Sequence, residues 1–319
     1  MICEVNKVPD PNLKYDAVLM IGYGGPEKLD EVRPFIEGVL AGRPVPPERI
    51  DDVVHHYEAV GGRSPFNELT RGQADALAKR LAETGAPLPV HIGTRHWNPF
   101  LADTLRGMAE RGERRAVGLI MAPHRCFSSW EQYRQDVATA RQELGEDAPE
   151  VTYVKPWFDH PQFIEAAADH VAQHLASLRA AARTEAEVIF TAHSIPNRMA
   201  EAGPYVEELT ETSRLVAARL NHKRWSIAYQ SRSGRPEDPW LEPDICDLLT
   251  RRGEEGLRHA VVMPIGFVCD HVEVLYDLDI EAKQVAEKAG VTLLRASTVN
   301  DHPAFIAALA ERVQAVLTR

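Results

Sequence analysis

The stretch Thr191-Ala192-His193-Ser194-Ile195-Pro196 sets a histidine just past an apolar run, Val188–Thr191, that reads as a buried strand. A free imidazole titrates near pH ~6.5, so His193 can accept a proton or ligate a borderline cation, or serve only as a hydrogen-bonded structural ring. Further on, Glu273, Asp277 and Glu281 are spaced i, i+4, i+8, which stacks three carboxylates along one helix face. Like charges at that spacing cost ~0.2–0.5 kcal/mol per pair. The ladder is therefore either a plain acidic stripe or a path for a divalent cation, since carboxylate oxygens suit hard and borderline metals. A third segment, Gln230 to Asp244 (QSRSGRPEDPWLEPD), offers two arginines, several hydroxyls and a tryptophan in one loop. That mixture suits a large, flat, partly anionic ligand as well as it suits an ordinary surface loop. Two other patterns fail: Gly22-Tyr23-Gly24-Gly25 lacks the GxGxxG spacing, and Ser194 sits in no GxSxG elbow.

The elements that would hold these residues alternate. Apolar runs at Ala17–Ile21, Val90–Ile92, Ala116–Met121, Val188–Thr191, Ser226–Tyr229 and Ala260–Met263 predict strands. Three-and-four spacing of apolar residues predicts helices over Leu69–Leu81, Trp130–Leu144, Phe163–Leu178, Val206–Leu220 and Phe305–Leu317. Buried strands alternating with helices imply parallel sheets covered on both faces, with ligands beyond the carboxyl ends of the strands. Asp159-His160-Pro161-Gln162-Phe163-Ile164 recurs 142 residues later as Asp301-His302-Pro303-Ala304-Phe305-Ile306, and a strand leading into YGGP is matched by one leading into HSIP. Two similar Rossmann-like α/β halves are expected, 1–155 and 156–303. The last helix, 304–319, returns to the first half, and a cleft lies between the halves.

Composition narrows the function. The 319 residues are 44% hydrophobic and 26% charged, as in a globular chain of about two domains. A net charge of −11 argues against nucleic acid as a partner. The longest nearly apolar run, Ala260–Cys269, is half of a ~20-residue membrane span, and the opening MICEVNKVPDPN does not read as a signal peptide. A cytoplasmic protein without a transmembrane segment is expected. Cys3, Cys126, Cys246 and Cys269 form no CxxC pair, so neither a disulfide framework nor a sequence-local metal cluster is expected.

Taken together, these segments resemble the ferrochelatases, which insert ferrous iron into porphyrins. The matching stretches are YGGPEKLDEVRPFIEGVLAGRPVP (Tyr23 to Pro46), HYEAVGGRSPFNELT (His56 to Thr70), FTAHSIP (Phe190 to Pro196), QSRSGRPEDPWLEPD (Gln230 to Asp244) and PIGFVCDHVEVLYDLDIE (Pro264 to Glu281), in family order. The resemblance implies the chelatase fold, two four-stranded parallel α/β domains with porphyrin between them. It implies that His193 and Glu273 are catalytic at the metal-insertion face, with Asp277 and Glu281 extending the metal path. Tyr23 would face the other side of the macrocycle, with Arg95 and His96 at the pocket wall. Tyr57, Ser64, Ser231 and Arg43 would lie toward the propionates. Fe²⁺ is then a substrate and no cofactor is permanently bound. Bending the macrocycle would cost ~1–5 kcal/mol, drawn from binding the rest of the ring.

Membrane-associated relatives that use protoporphyrin carry a long apolar lip after the first helix, and often a C-terminal iron–sulfur extension. Here the segment from Gly38 to Arg63 is short and polar, and no cysteine follows Cys269. The chain therefore looks more like the coproporphyrin III ferrochelatases, acting as a monomer, and no iron–sulfur cluster is expected. It departs from them at Leu40 and His56, where some such enzymes place arginines, although Arg43 and Arg63 are near in sequence. Protoporphyrin IX metallation and non-catalytic haem or porphyrin binding are the alternatives.

Overall fold

The computed structural model describes residues 15–41, 47–233 and 237–318. The first half runs β1 (Ala17–Gly22), α1 (Leu29–Leu40), α2 (Pro47–Ala59), α3 (Phe66–Glu83), β2 (Val90–Thr94), α4 (Leu101–Glu110), β3 (Arg115–Ile120), α5 (Gln132–Leu144) and β4 (Glu150–Tyr153). Then come α6 (Pro161–Ser177), α7 (Ala180–Glu185), β5 (Glu187–His193), α8 (Asn197–Glu201), α9 (Tyr205–Arg219) and β6 (Trp225–Gln230). The chain ends with α10 (Ile245–Glu254), β7 (His259–Met263), α11 (Val272–Tyr276), α12 (Lys283–Lys288), β8 (Thr292–Arg295) and α13 (Pro303–Leu317). Two π-helical turns, Phe127–Glu131 and Asp277–Ala282, precede α5 and join α11 to α12.

Each half is a four-stranded parallel sheet, ordered β2-β1-β3-β4 and β6-β5-β7-β8. Both sheets begin inside, add one strand to one side and then cross back to the other. The reversal falls between β1 and β3 and between β5 and β7, the place where open parallel sheets commonly bind ligands. β1 is buried along its whole length because helices cover both faces of its sheet. The sequence pattern located six strands; β4 (EVTY) and β8 (TLLR) are additional. They are short, partly exposed edge strands with no continuous apolar run, so their signal is weak.

The two halves exchange helices. α6 follows β4 of the first sheet but packs on β7 and α9 of the second, and α13 follows β8 but packs on α3 and β3 of the first. α6 and α13 also pack against each other, with Trp157, Phe163 and Phe305 meeting at ring-centroid distances of 5.1–5.8 Å. Polar ties reinforce the join. Buried Glu208 on α9 accepts the backbone N–H and the guanidinium of Arg125 from the loop after β3. The Gln73 amide on α3 donates to the carbonyls of Val268 and Asn300.

The repeated Asp-His-Pro motif makes a reciprocal clamp at this seam. His160 Nδ1 accepts the Gln162 N–H at the start of α6, while its Nε2 lies 3.3 Å from Glu311 on α13. His302 Nδ1 accepts the Ala304 N–H at the start of α13, while its Nε2 lies 3.6 Å from Asp169 on α6. A neutral ring satisfies both contacts. A second proton would set Nδ1–H against the backbone N–H it caps.

Burial, then Arg312, holds the His160 pKa below its ordinary value, against the opposing pull of Glu311 and Asp159. Below pH ~6.5 the unfolded chain therefore binds more protons here, and stability falls as the pH drops. His160→Asn keeps a capping acceptor that does not titrate. Thermal denaturation at pH 7.5 and 5.5 should show it losing less on acidification than wild type, and an equal loss would show that His160 does not set this dependence.

Candidate active site

His193 is the last residue of β5, and the turn beyond it is held by the Ser194 N–H donating to Gln230 O and the Ser194 hydroxyl donating to Leu241 O. The Tyr205 hydroxyl donates to His193 O at 3.0 Å. His193 Nδ1 lies 2.5 Å from Ser194 O. A carbonyl only accepts, so the proton sits on Nδ1 and the Nε2 lone pair is left free. That Nε2 faces Glu273 Oε1 at 3.9 Å. Both side chains are accessible, His193 30% and Glu273 44% exposed.

Their approach rests on the backbone. After β7, Gly266 donates its N–H to Thr191 O, and a Cβ at 266 would lie only 2.5 Å from the Ala192 Cβ. The missing side chain lets this loop lie directly on the end of β5 and deliver α11 beside His193. His271 starts α11, its Nδ1 accepting the Val274 N–H and its ring set edge-on to Phe267. Burial lowers the His271 pKa despite the nearby Glu273 carboxylate, so this ring is neutral with its proton on Nε2.

The acidic ladder is not one α-helix. α11 ends at Tyr276, and Asp277 opens the π turn. Four residues slightly overshoot an α-helical turn and undershoot the wider π turn, so the two deviations offset along the ladder. Asp277 is only 8% exposed and accepts hydrogen bonds from the Ser231 hydroxyl and, at 3.3 Å, from Gln230 Nε2. Burial pushes its carboxyl up to about 7, with Glu273 and Glu281 adding to the rise against the opposing hydrogen bonds. Glu281 is exposed. Among the described residues, no three His, Cys, Asp or Glu side chains are grouped to hold a metal ion. The four residues expected to meet metal, His193, Glu273, Asp277 and Glu281, are thus not gathered into one coordination sphere.

The opposite wall follows β1. The Tyr23 ring packs 4.6 Å from that of His96 and edge-on to Phe35. Tyr57 is buried on α2, and its hydroxyl pKa is raised by burial first and then by the Glu273 and Tyr23 charges. Arg95 Nε pairs with Asp136 at 2.6 Å and lies over the Tyr133 ring.

Of the residues expected at the propionates, Ser64 is buried and its hydroxyl accepts the Phe66 N–H, while the Ser231 hydroxyl is taken by Asp277. Arg43 lies outside the described residues. Arg63 pairs with Glu68 at 3.6 Å, and both are exposed. Sequence reasoning overlooked Tyr205, Gln230 and His271. His271 could have been found from its place in Asp270-His271-Val272-Glu273, directly before the carboxylate. Tyr205 carries no local signal.

The family model described as Ferrochelatase matches residues 15–317. A ferrochelatase of Rhodopirellula baltica is 44% identical, over 94% of this chain and 86% of its own length. Coproporphyrin III ferrochelatases of Mycolicibacterium smegmatis and Streptomyces coelicolor are 40% and 42% identical, over 96% and 94% of this chain and 91% and 84% of theirs. Among solved structures, the sirohydrochlorin chelatase of Bacillus subtilis subspecies spizizenii in complex with cobalt shares the fold. It has a TM-score of 0.58 at 13% identity, over 94% of each chain.

The Asp277 carboxyl supplies a test of the ladder. Its folded pKa of about 7 lies above the unfolded value of 3.8, so the native state holds the extra proton and stability declines as pH rises between them. Asp277→Asn has no charge to desolvate. It should raise the melting temperature most at pH 8, less at pH 5 and little at pH 3.5; equal shifts at all three would show that this carboxyl ionises normally.

Proposed function

The chain belongs to the ferrochelatase family, and we propose that it inserts ferrous iron into coproporphyrin III, with His193 and Glu273 at the metal-insertion face. The observation that carries this reading is the His193 Nε2 lone pair, left free by the Nδ1 contact and set 3.9 Å from Glu273. Insertion releases two pyrrole N–H protons for each iron bound. His193 Nε2 accepts a proton, and Glu273 stabilises the resulting imidazolium. Asp277, poised near neutral pH by burial, takes protons onward, and the exposed Glu281 meets incoming Fe²⁺. Tyr23, across the crevice, faces the other side of the ring.

Coproporphyrin III is favoured by the names of the 40–42% identical relatives and by the polar segment from Gly38 to Arg63. Protoporphyrin IX is the second reading, because the 44% identical relative is named without a porphyrin. A tetrapyrrole with four propionates is water-soluble, which supports action in the cytoplasm; no described helix is long and apolar enough to cross a membrane. Both walls come from one chain, so a monomer supplies a complete site. The reading needs no resident cofactor.

Anaerobic Fe²⁺ insertion followed by absorbance, with coproporphyrin III and protoporphyrin IX side by side, tests the substrate; faster use of protoporphyrin IX would reverse the preference. His193→Ala should abolish insertion while porphyrin still binds, as read by fluorescence quenching. Glu273→Gln should slow turnover by roughly 10²-fold or more, and an unchanged rate would remove Glu273 from the chemistry.

A further inference from the structure

Arg295 is the last residue of β8, which pairs in register with β7, Val262 against Arg295. From there its side chain meets the segment that follows β7. Its Nε donates to Asp279 Oδ1 at 2.7 Å, and its Nη1 reaches both carboxylate oxygens of Asp270 at 3.3 Å. The Arg295 and Asp270 side chains are only 16% and 14% exposed, and that of Asp279 is 39% exposed. One guanidinium thus joins two carboxylates nine residues apart in the chain.

Those carboxylates bracket the acidic groups of the site. Asp270 directly precedes His271, which caps α11, and Glu273 lies in the first turn of that helix. Asp279 lies inside the π turn, between Asp277 and Glu281 in sequence. Asp270 Oδ1 also accepts the Thr298 N–H, and the Asp270 N–H donates to Asn300 Oδ1, both at 3.2 Å. The Asn300 carbonyl in turn accepts the Gln73 amide from α3. At its end α11 meets α2, where the His56 ring stacks on Tyr276 at 3.7 Å. Arg295 therefore ties the start of α11 to the π turn beyond it. A planar guanidinium presents separate nitrogens to both carboxylates, whereas a lysine offers one compact charge. Without the guanidinium, two partly buried carboxylates lose their shared cation.

We propose that Arg295 is a positioning residue for metal insertion: through Asp270 it sets Glu273 opposite His193, and through Asp279 it holds the π turn that seats Asp277. The proposal rests on the reading of this crevice as the insertion site. Arg295 acts on the placement of carboxylates and not on the porphyrin, so its loss lowers turnover and leaves porphyrin affinity unchanged.

Arg295→Met should lower kcat for Fe²⁺ insertion by about 10- to 100-fold, the scale of a misplacement of ~1 Å. The Kd for metal-free coproporphyrin III, read by fluorescence quenching, should not change. Arg295→Lys should recover part of the loss, because it keeps one ion pair. Asp279→Asn should also slow turnover, and adding it to Arg295→Met should cost nothing further, since both remove the same link. Amide hydrogen exchange in the unliganded protein should quicken over 271–282 in Arg295→Met and stay as in wild type over β1 and β3. Unchanged kcat, a Kd that weakens in step with kcat, or multiplying losses in the double variant would overturn the positioning role. Unchanged exchange over 271–282 would overturn the tie itself. Should Arg295→Met fail to fold, Asp279→Asn, with its more exposed carboxylate, carries the same kinetic and exchange comparison. A wild type that inserts no iron would overturn the insertion reading and the positioning role with it, while exchange still decides the tie.

Discussion

The site depends on one backbone contact, the loop after β7 resting on the end of β5 at Gly266. With a bare Cα over Ala192, the loop comes close enough to hydrogen-bond Thr191 O, and α11 then starts beside His193. The imidazole ends one strand and the carboxylate follows another, so neither side chain reaches the other by its own flexibility. Once the two strands are neighbours in register, the geometry follows.

The exchange of α6 and α13 ties the two halves together. Each sheet is covered by a helix that leaves the other, so the halves do not part without uncovering core. The histidine clamps, Arg125–Glu208 and the Gln73 amide lie along the same join. The α1–α2 pair carries a separate small core of Val32, Phe35, Ile36 and Tyr57.

Electrostatics divides the acidic and imidazole groups by burial. His193 and Glu273 stay partly exposed, the buried His271 is kept neutral beside them, and Asp277 is driven toward neutral pH. Three carboxylates of one sequence pattern therefore have three environments: Glu273 in the crevice, Asp277 buried against Ser231 and Gln230, and Glu281 at the surface.

Much of this was legible in the chain itself. Strand runs, helical spacing and the Asp-His-Pro repeat are local patterns, set by burial and capping within a few residues, and they disclosed two α/β halves and the loops worth inspecting. His193 and the Glu273–Asp277–Glu281 ladder were visible because residue type and spacing carry their meaning. The edge strands β4 and β8 were not, since half-exposed strands lack an apolar run. Nor did spacing reveal that Asp277 begins a π turn or that Ser231 and Ser64 spend their hydroxyls on Asp277 and Phe66. The Tyr205 hold on His193 and the stack of His56 on Tyr276 join positions 12 and 220 residues apart. Such partners are chosen by how sheets and helices pack, and packing sums over distant contacts that no local pattern encodes.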